Sequence, residues 1–129
     1  MRKIFIVEDD AFLRSMLGTW LSSRYPEFEV ACFSSAEEAL AAFSVLPALL
    51  IMDIRLPGMS GIAAAKSLKN LPGKPPVILI SVWSEEEYVR DAEEAGVDAF
   101  IPKQSLWRQL LPLSDGLLSA SGLKTGVQS

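Results

Sequence analysis

Four apolar runs in this chain each stop at residues capable of chemistry. Lys3 to Val7 (KIFIV) runs into Glu8, Asp9 and Asp10; Leu49 to Met52 ends at Asp53; Val77 to Ile80 ends at Ser81; Ala99 to Ile101 is followed by Pro102 and Lys103. Short continuous apolar runs are the pattern of strands buried on both faces of a parallel sheet. Ligands of open parallel sheets bind outside the carboxyl ends of the strands. Three carboxylates gathered at that edge repel by about 4 kcal/mol per pair at 4 Å and an effective dielectric of 20, so they protonate or collect a cation. Oxygen ligands without His or Cys suit Mg²⁺, which keeps positions open to water and phosphate. An aspartate beside that ion can attack phosphorus and form an acyl phosphate. The transferred group then needs an ammonium and a hydroxyl donor, roles that Lys103 and Ser81 fit. Singly, an aspartate or serine after a strand is an ordinary turn residue and a lysine there an ordinary surface residue. Together, Glu8, Asp9, Asp53, Ser81 and Lys103 point to Mg²⁺-dependent phosphoryl transfer onto Asp53.

The elements between these runs must bring them to one edge. Leu13, Met16, Leu17, Trp20 and Leu21 recur at helical spacing, which predicts a first helix with those residues on its core face, ending before Pro26. Phe28 to Phe33 reads as a second strand. Ser35 and Glu38 form a capping box opening a helix that buries Ala39, Leu40 and Phe43, and Pro47 separates that helix from the Asp53 strand. Pro57, Gly58, Ser60 and Gly61 give a turn and a helix start, with Ser60 as N-cap, and the helix runs through Leu68 to the LPGKPP loop. Ser84 and Glu87 predict a second capping box, Gly96 the end of that helix, and its acidic exposed face a solvated surface. A last helix from near Ser105 buries Leu106, Leu110 and Leu117, with Pro112 expected to kink or split it. Five strands alternating with five helices predict a three-layer α/β fold with a parallel sheet. Residues 1–118 form one domain, and 119–129 read as a flexible tail or the start of a linker.

Composition narrows the function further. The chain has 129 residues, half of them hydrophobic, enough for one core. A net charge of −4 and a pI near 4.8 exclude the basic footprint of a direct nucleic-acid binder. The absence of histidine excludes His-based triads, HExxH zinc sites and a phosphohistidine of its own. No run is long enough for a membrane span, and no signal-like segment opens the chain, so a cytoplasmic protein is expected. The single cysteine, Cys32, is expected as a buried small hydrophobe.

With these motifs (VEDD, LLIMDIRLPGMSG, ILIS and FIPK) in this order, residues 3 to about 118 resemble the response regulator receiver domain of two-component signalling. The resemblance implies a flavodoxin-like (βα)5 fold with strand order 2-1-3-4-5. It implies Asp53 as phosphoacceptor, Asp9 as a direct Mg²⁺ ligand, Glu8 as a ligand or water-mediated helper, and the Arg55 carbonyl as a further ligand. Ser81 and Lys103 would bind phosphoryl oxygens, and Phe100 occupies the aromatic switch position. Arg55 and Trp83, two residues after Asp53 and Ser81, stand where receivers tune the lifetime of the acyl phosphate. A histidine kinase or phosphotransfer protein is the implied phosphodonor, and a homodimer is a further state the resemblance allows. The domain is then a phosphoacceptor and not an enzyme.

Departures from the pattern are informative. Phe100 lacks the tyrosine hydroxyl often found there, Val82 is larger than the usual small residue, and Gln104 after Lys103 removes the Lys-Pro bond common in the family. The ending resembles receivers joined to LuxR-type helix-turn-helix outputs, which predicts transcriptional regulation through a DNA-binding domain outside this sequence. The alternatives are a stand-alone phosphorelay or interaction receiver. A haloacid-dehalogenase-type phosphatase is disfavoured, because Arg55 stands where its second acid is needed.

Overall fold

A computed structural model of the chain describes residues 2–82 and 86–120. Five strands, β1 (Lys3–Val7), β2 (Glu29–Phe33), β3 (Leu49–Asp53), β4 (Val77–Ser81) and β5 (Ala99–Pro102), form one parallel sheet in the order β2-β1-β3-β4-β5. The helices are α1 (Ala11–Arg24), α2 (Ala36–Ala41), α3 (Gly61–Leu68), α4 (Glu86–Glu94) and α5 (Leu106–Leu118), the last preceded by a 3-10 turn over Lys103–Ser105. This is the flavodoxin-like arrangement expected. None of the described helices is long and apolar enough to cross a membrane.

Alternation along the strands divides the core in two, because successive side chains point to opposite faces. Ile4, Ile6, Leu49, Ile51, Ile78 and Ile80 face Leu17 and Leu21 of α1 and Leu106 and Leu110 of α5. Phe5, Val7, Leu50, Met52 and Leu79 face Ala36, Ala39, Ala64 and Ala92 of the other three helices. With both faces covered, the three central strands cannot alternate polar and apolar residues, which is why they read as unbroken apolar runs.

Several helix expectations need correction. Leu17 and Leu21 are buried on α1 and the partly buried Leu13 and Trp20 pack against the same cluster as expected, but Met16 is exposed; the Trp20 ring also lies tilted against Trp107 of α5, ring centres 4.8 Å apart. Pro112 does not split α5, which runs unbroken through it: the proline lies on the exposed side, where the carbonyl it leaves without a donor can turn to water. The buried stripe of α5 is Leu106, Leu110, Ser114 and Leu118, a strict four-residue repeat that leaves Leu117 half-buried. Ser35 caps α2 through Glu38 N–H (3.2 Å), but Glu38 reaches back to Ser34, one residue short of a reciprocal capping box, and Phe43 lies in the turn beyond the helix. The Ser84/Glu87 box falls outside the described residues. Cys32 is exposed, not buried, because β2 is an edge strand and Gly18 of α1 has no side chain to cover it. The sulfur still rests against Gly18, and partial burial pushes the thiol pKa up.

The turn after β3 is tight. Gly61 N–H donates to Ile54 O (2.8 Å), and a Cβ on Gly61 would collide with the Asp53 carbonyl. Gly61 is therefore required for close approach, whereas Gly58, with φ +73°, is required for its backbone conformation. Gly61→Ala should force α3 away from β3 and cost about 1–3 kcal/mol; thermal unfolding measures it, and an unshifted midpoint would show that the turn adapts freely.

Candidate functional site

Strand register delivers the site. Val7 pairs with Met52, Asp53 with Ile80 and Ser81 with Pro102, so the carboxyl ends of β1, β3, β4 and β5 finish level at one rim. Glu8 follows β1 and is fully buried, Asp53 closes β3 and is 4% exposed, and Asp9 is exposed. One carboxylate oxygen from each lies within 4.8 Å of the other two. Among the described residues the Asp9 carboxylate has no hydrogen-bond or ion-pair partner.

Lys103, first residue of the 3-10 turn, sends its ammonium back over this rim. It donates to Asp53 Oδ2 at 3.0 Å and stands 3.1 Å from Glu8 Oε1. The other oxygens are held by backbone: Arg55 N–H donates to Asp53 Oδ1 (3.1 Å) and Asp10 N–H to Glu8 Oε2 (3.0 Å). Three carboxylates thus face one ammonium. Burial, reinforced by the charge of Asp53, pushes the Glu8 pKa up to about 7 against the opposing pull of the Asp10 amide and Lys103. Burial works against the charge on Lys103, but Asp53 and Glu8 outweigh it and raise the lysine's pKa. An all-oxygen cluster with excess negative charge and one carboxylate without a partner fits a hard divalent cation.

Glu8, Asp9, Asp53, Arg55 and Lys103 line one open pocket, joined by Asp10 and Val82. The structure does not bring every expected residue to it. Ser81 is fully buried below the rim and does not line the pocket; its neighbour Val82, 59% exposed, does. Phe100 is half-buried, packed into the core face shared with α2, α3 and α4. Trp83 lies outside the described residues. Asp10, the third acid of the first run, is the N-cap of α1, its carboxylate accepting from Phe12 and Leu13 N–H.

Two contacts escaped sequence reasoning. Glu37 at the start of α2 accepts from Met59 N–H (2.8 Å) and so ties α2 to the β3–α3 turn, a contact between segments 22 residues apart. Arg14 donates to the carbonyls of Glu8 and Asp9 at 2.8 and 3.3 Å. The only signal of the second was a base one helical turn after the acids.

Comparison with known proteins agrees with this geometry. Residues 4–113 match the profile of the response regulator receiver domain. The chain is 33% identical over 101 residues to the chemotaxis protein CheY of Bacillus subtilis, covering 78% of this chain and 84% of that one. It is 33% identical over 104 residues to the regulatory protein AtoC of Escherichia coli, covering 80% of this chain but only 22% of AtoC. A solved signal receiver domain of a signal transduction histidine kinase from Syntrophus aciditrophicus superposes with a TM-score of 0.83 at 28% identity, covering 100% of this chain and 98% of that one.

The raised pKa of Glu8 has a signature without metal. Its folded value of about 7 exceeds the ordinary 4.5, so between those pH values the native state holds a proton that the unfolded chain has released. Stability from this source is complete below 4.5 and is lost as pH rises through about 7. Urea midpoints of the metal-free protein at pH 5 and 7.5 should show wild type losing more stability than Glu8→Gln; equal losses would place the titration elsewhere.

Proposed function

The chain belongs to the family of response regulator receiver domains, and from that premise we propose that Asp53 is its phosphoacceptor. One juxtaposition carries the reading: carboxylate oxygens of Glu8, Asp9 and Asp53 within 4.8 Å of one another, with the Lys103 ammonium 3.0 Å from Asp53. The donor is a phosphohistidine of a histidine kinase or phosphotransfer protein, since this chain has no histidine. An Asp53 oxygen attacks phosphorus in line; the new O–P bond forms as the donor N–P bond breaks, and the imidazole nitrogen leaves with the electron pair and takes a proton from water.

Glu8, Asp9, Asp53 and the Arg55 carbonyl would hold Mg²⁺, which would supply positive charge to offset that of the phosphoryl oxygens. Arg55 N–H fixes the plane of the Asp53 carboxylate, and Lys103 passes from an Asp53 oxygen to a phosphoryl oxygen. The product carries about −1.5 to −2 added charge that must find donors. Ser81 is the nearest hydroxyl on the neighbouring strand, and its buried starting position means that the end of β4 moves when it engages. Phe100, paired with Leu79, follows by packing alone, and α4, β5 and α5 present the altered surface. Arg55 and Trp83 tune how fast water removes the group. Asp53 is regenerated only by that hydrolysis, so the domain acts as a switch and not as an enzyme.

The likeness to AtoC supports an output in transcriptional regulation, with the net charge of −4 assigning any DNA contact to another domain. The 84% coverage of CheY supports the alternative, a single-domain receiver that acts by protein contact.

Acetyl phosphate with Mg²⁺ should add one phosphate to the intact mass of the protein and none to Asp53→Asn. An unchanged gain in that variant would falsify the assignment. Binding of beryllofluoride should shift amide resonances of α4, β5 and α5 as well as the β3–α3 turn, and Ser81→Ala should confine the shifts to the turn; shifts equally extensive in Ser81→Ala remove serine from the switch.

A further inference from the structure

We propose that Arg14 is a positioning residue for the cation site, acting through the backbone of the acidic turn. The segment Glu8–Asp10 lies between the end of β1 and the start of α1; the Asp10 carbonyl accepts the first hydrogen bond of α1, whereas among the described residues no backbone N–H outside the strands and helices donates to those of Glu8 and Asp9. Arg14 supplies a donor to three consecutive carbonyls: its Nη1 to Glu8 O (2.8 Å) and Asp9 O (3.3 Å), and its own backbone N–H to Asp10 O (2.9 Å). Glu8 is further anchored by its N–H to Phe33 O (3.0 Å) and by Oε2 to Asp10 N–H. The Asp9 side chain has no such anchor, so its direction is set by the peptide planes on either side of it. Arg14 holds the carbonyls of both planes that flank Asp9. Fixing them aims the Asp9 carboxylate at the space shared with Glu8 and Asp53 and spares a bound cation the entropy of ordering the turn.

The inference rests on the functional reading above and predicts a sign that simple electrostatics opposes. A guanidinium behind two metal-binding acids repels a divalent cation, so removing its charge without disordering the turn would tighten Mg²⁺ binding. Loss of positioning weakens it instead, by about tenfold, as for other groups that orient metal ligands. Arg14→Lys retains the charge but not the length and planar geometry that place Nη1 against both carbonyls, and should fall between wild type and Arg14→Met.

The test is Mg²⁺ titration of the wild-type protein, Arg14→Met and Arg14→Lys by calorimetry, with thermal midpoints of the metal-free proteins measured in parallel. About tenfold weaker binding in Arg14→Met, with Arg14→Lys intermediate, is the expected result. Unchanged or tighter Mg²⁺ binding in Arg14→Met overturns the proposal, and a lowered metal-free midpoint with unchanged affinity assigns Arg14 to stability alone. Should wild type bind Mg²⁺ and gain phosphate while the variants bind equally well, only the role of Arg14 fails; should wild type do neither, the phosphoacceptor reading fails with it.

Discussion

Repulsion among three carboxylates at one sheet edge is the constraint around which this molecule is arranged. Glu8, Asp9 and Asp53 are brought close enough that they cannot all stay charged without compensation, and Lys103 offsets only part of the charge. Folding this chain therefore means assembling a site that favours a cation or a proton. Glu8 shows the cost: burial first, and then the charge of Asp53, push its carboxyl up to about 7. An apolar replacement for this cluster would be easier to fold; a charged cluster left short of a counter-ion is suited to an event that brings charge of both signs, a divalent ion and a phosphoryl group.

Much of the surrounding structure acts to hold those charges in place by backbone contacts. Arg55 and Asp10 amides fix one oxygen each of Asp53 and Glu8. The Asp10 carboxylate is spent on capping α1, which sets it apart from the clustered carboxylates of Glu8 and Asp9 beside it. Gly61 lets α3 start against the Asp53 carbonyl, and Glu37 ties the intervening turn to α2. The turns on either side of the site are thereby held from α1 and α2, elements that contribute no side chain to the pocket itself. Rigid scaffolding around reactive groups limits the reorganisation needed during phosphoryl transfer.

Lys103 occupies a double role in this arrangement. It bridges Asp53 and Glu8, the two buried acids, and so acts as an internal counter-ion. It also opens the short 3-10 turn that joins β5 to α5. Ser81 and Phe100 sit beside the same strands but below the rim. The charged cluster thus borders the β4–β5 side of the sheet, where Lys103 already bridges Asp53 and Glu8.

Much was legible in the sequence. Apolar runs ending in acid, hydroxyl or ammonium fixed the strands, and alternation with helices fixed the layers, because a parallel sheet buried on both faces leaves an unbroken apolar signature. The family motifs carried the strand order. The acids and the lysine could be grouped from sequence because each directly follows a strand, and parallel strands all end on the same side. Residues whose state depends on what lies across from them were another matter. Cys32 is exposed because its strand is an edge facing a glycine, Pro112 is tolerated because it turned outward, and Leu117 gave way to Leu118 because the whole of α5 rotated to a four-residue repeat. Ser81 was placed on the correct strand but not at the correct depth. Arg14 and Glu37 act on backbone atoms, which carry no residue-specific signal in the sequence, and only the packed fold determines which carbonyl or amide a flexible charged side chain can reach.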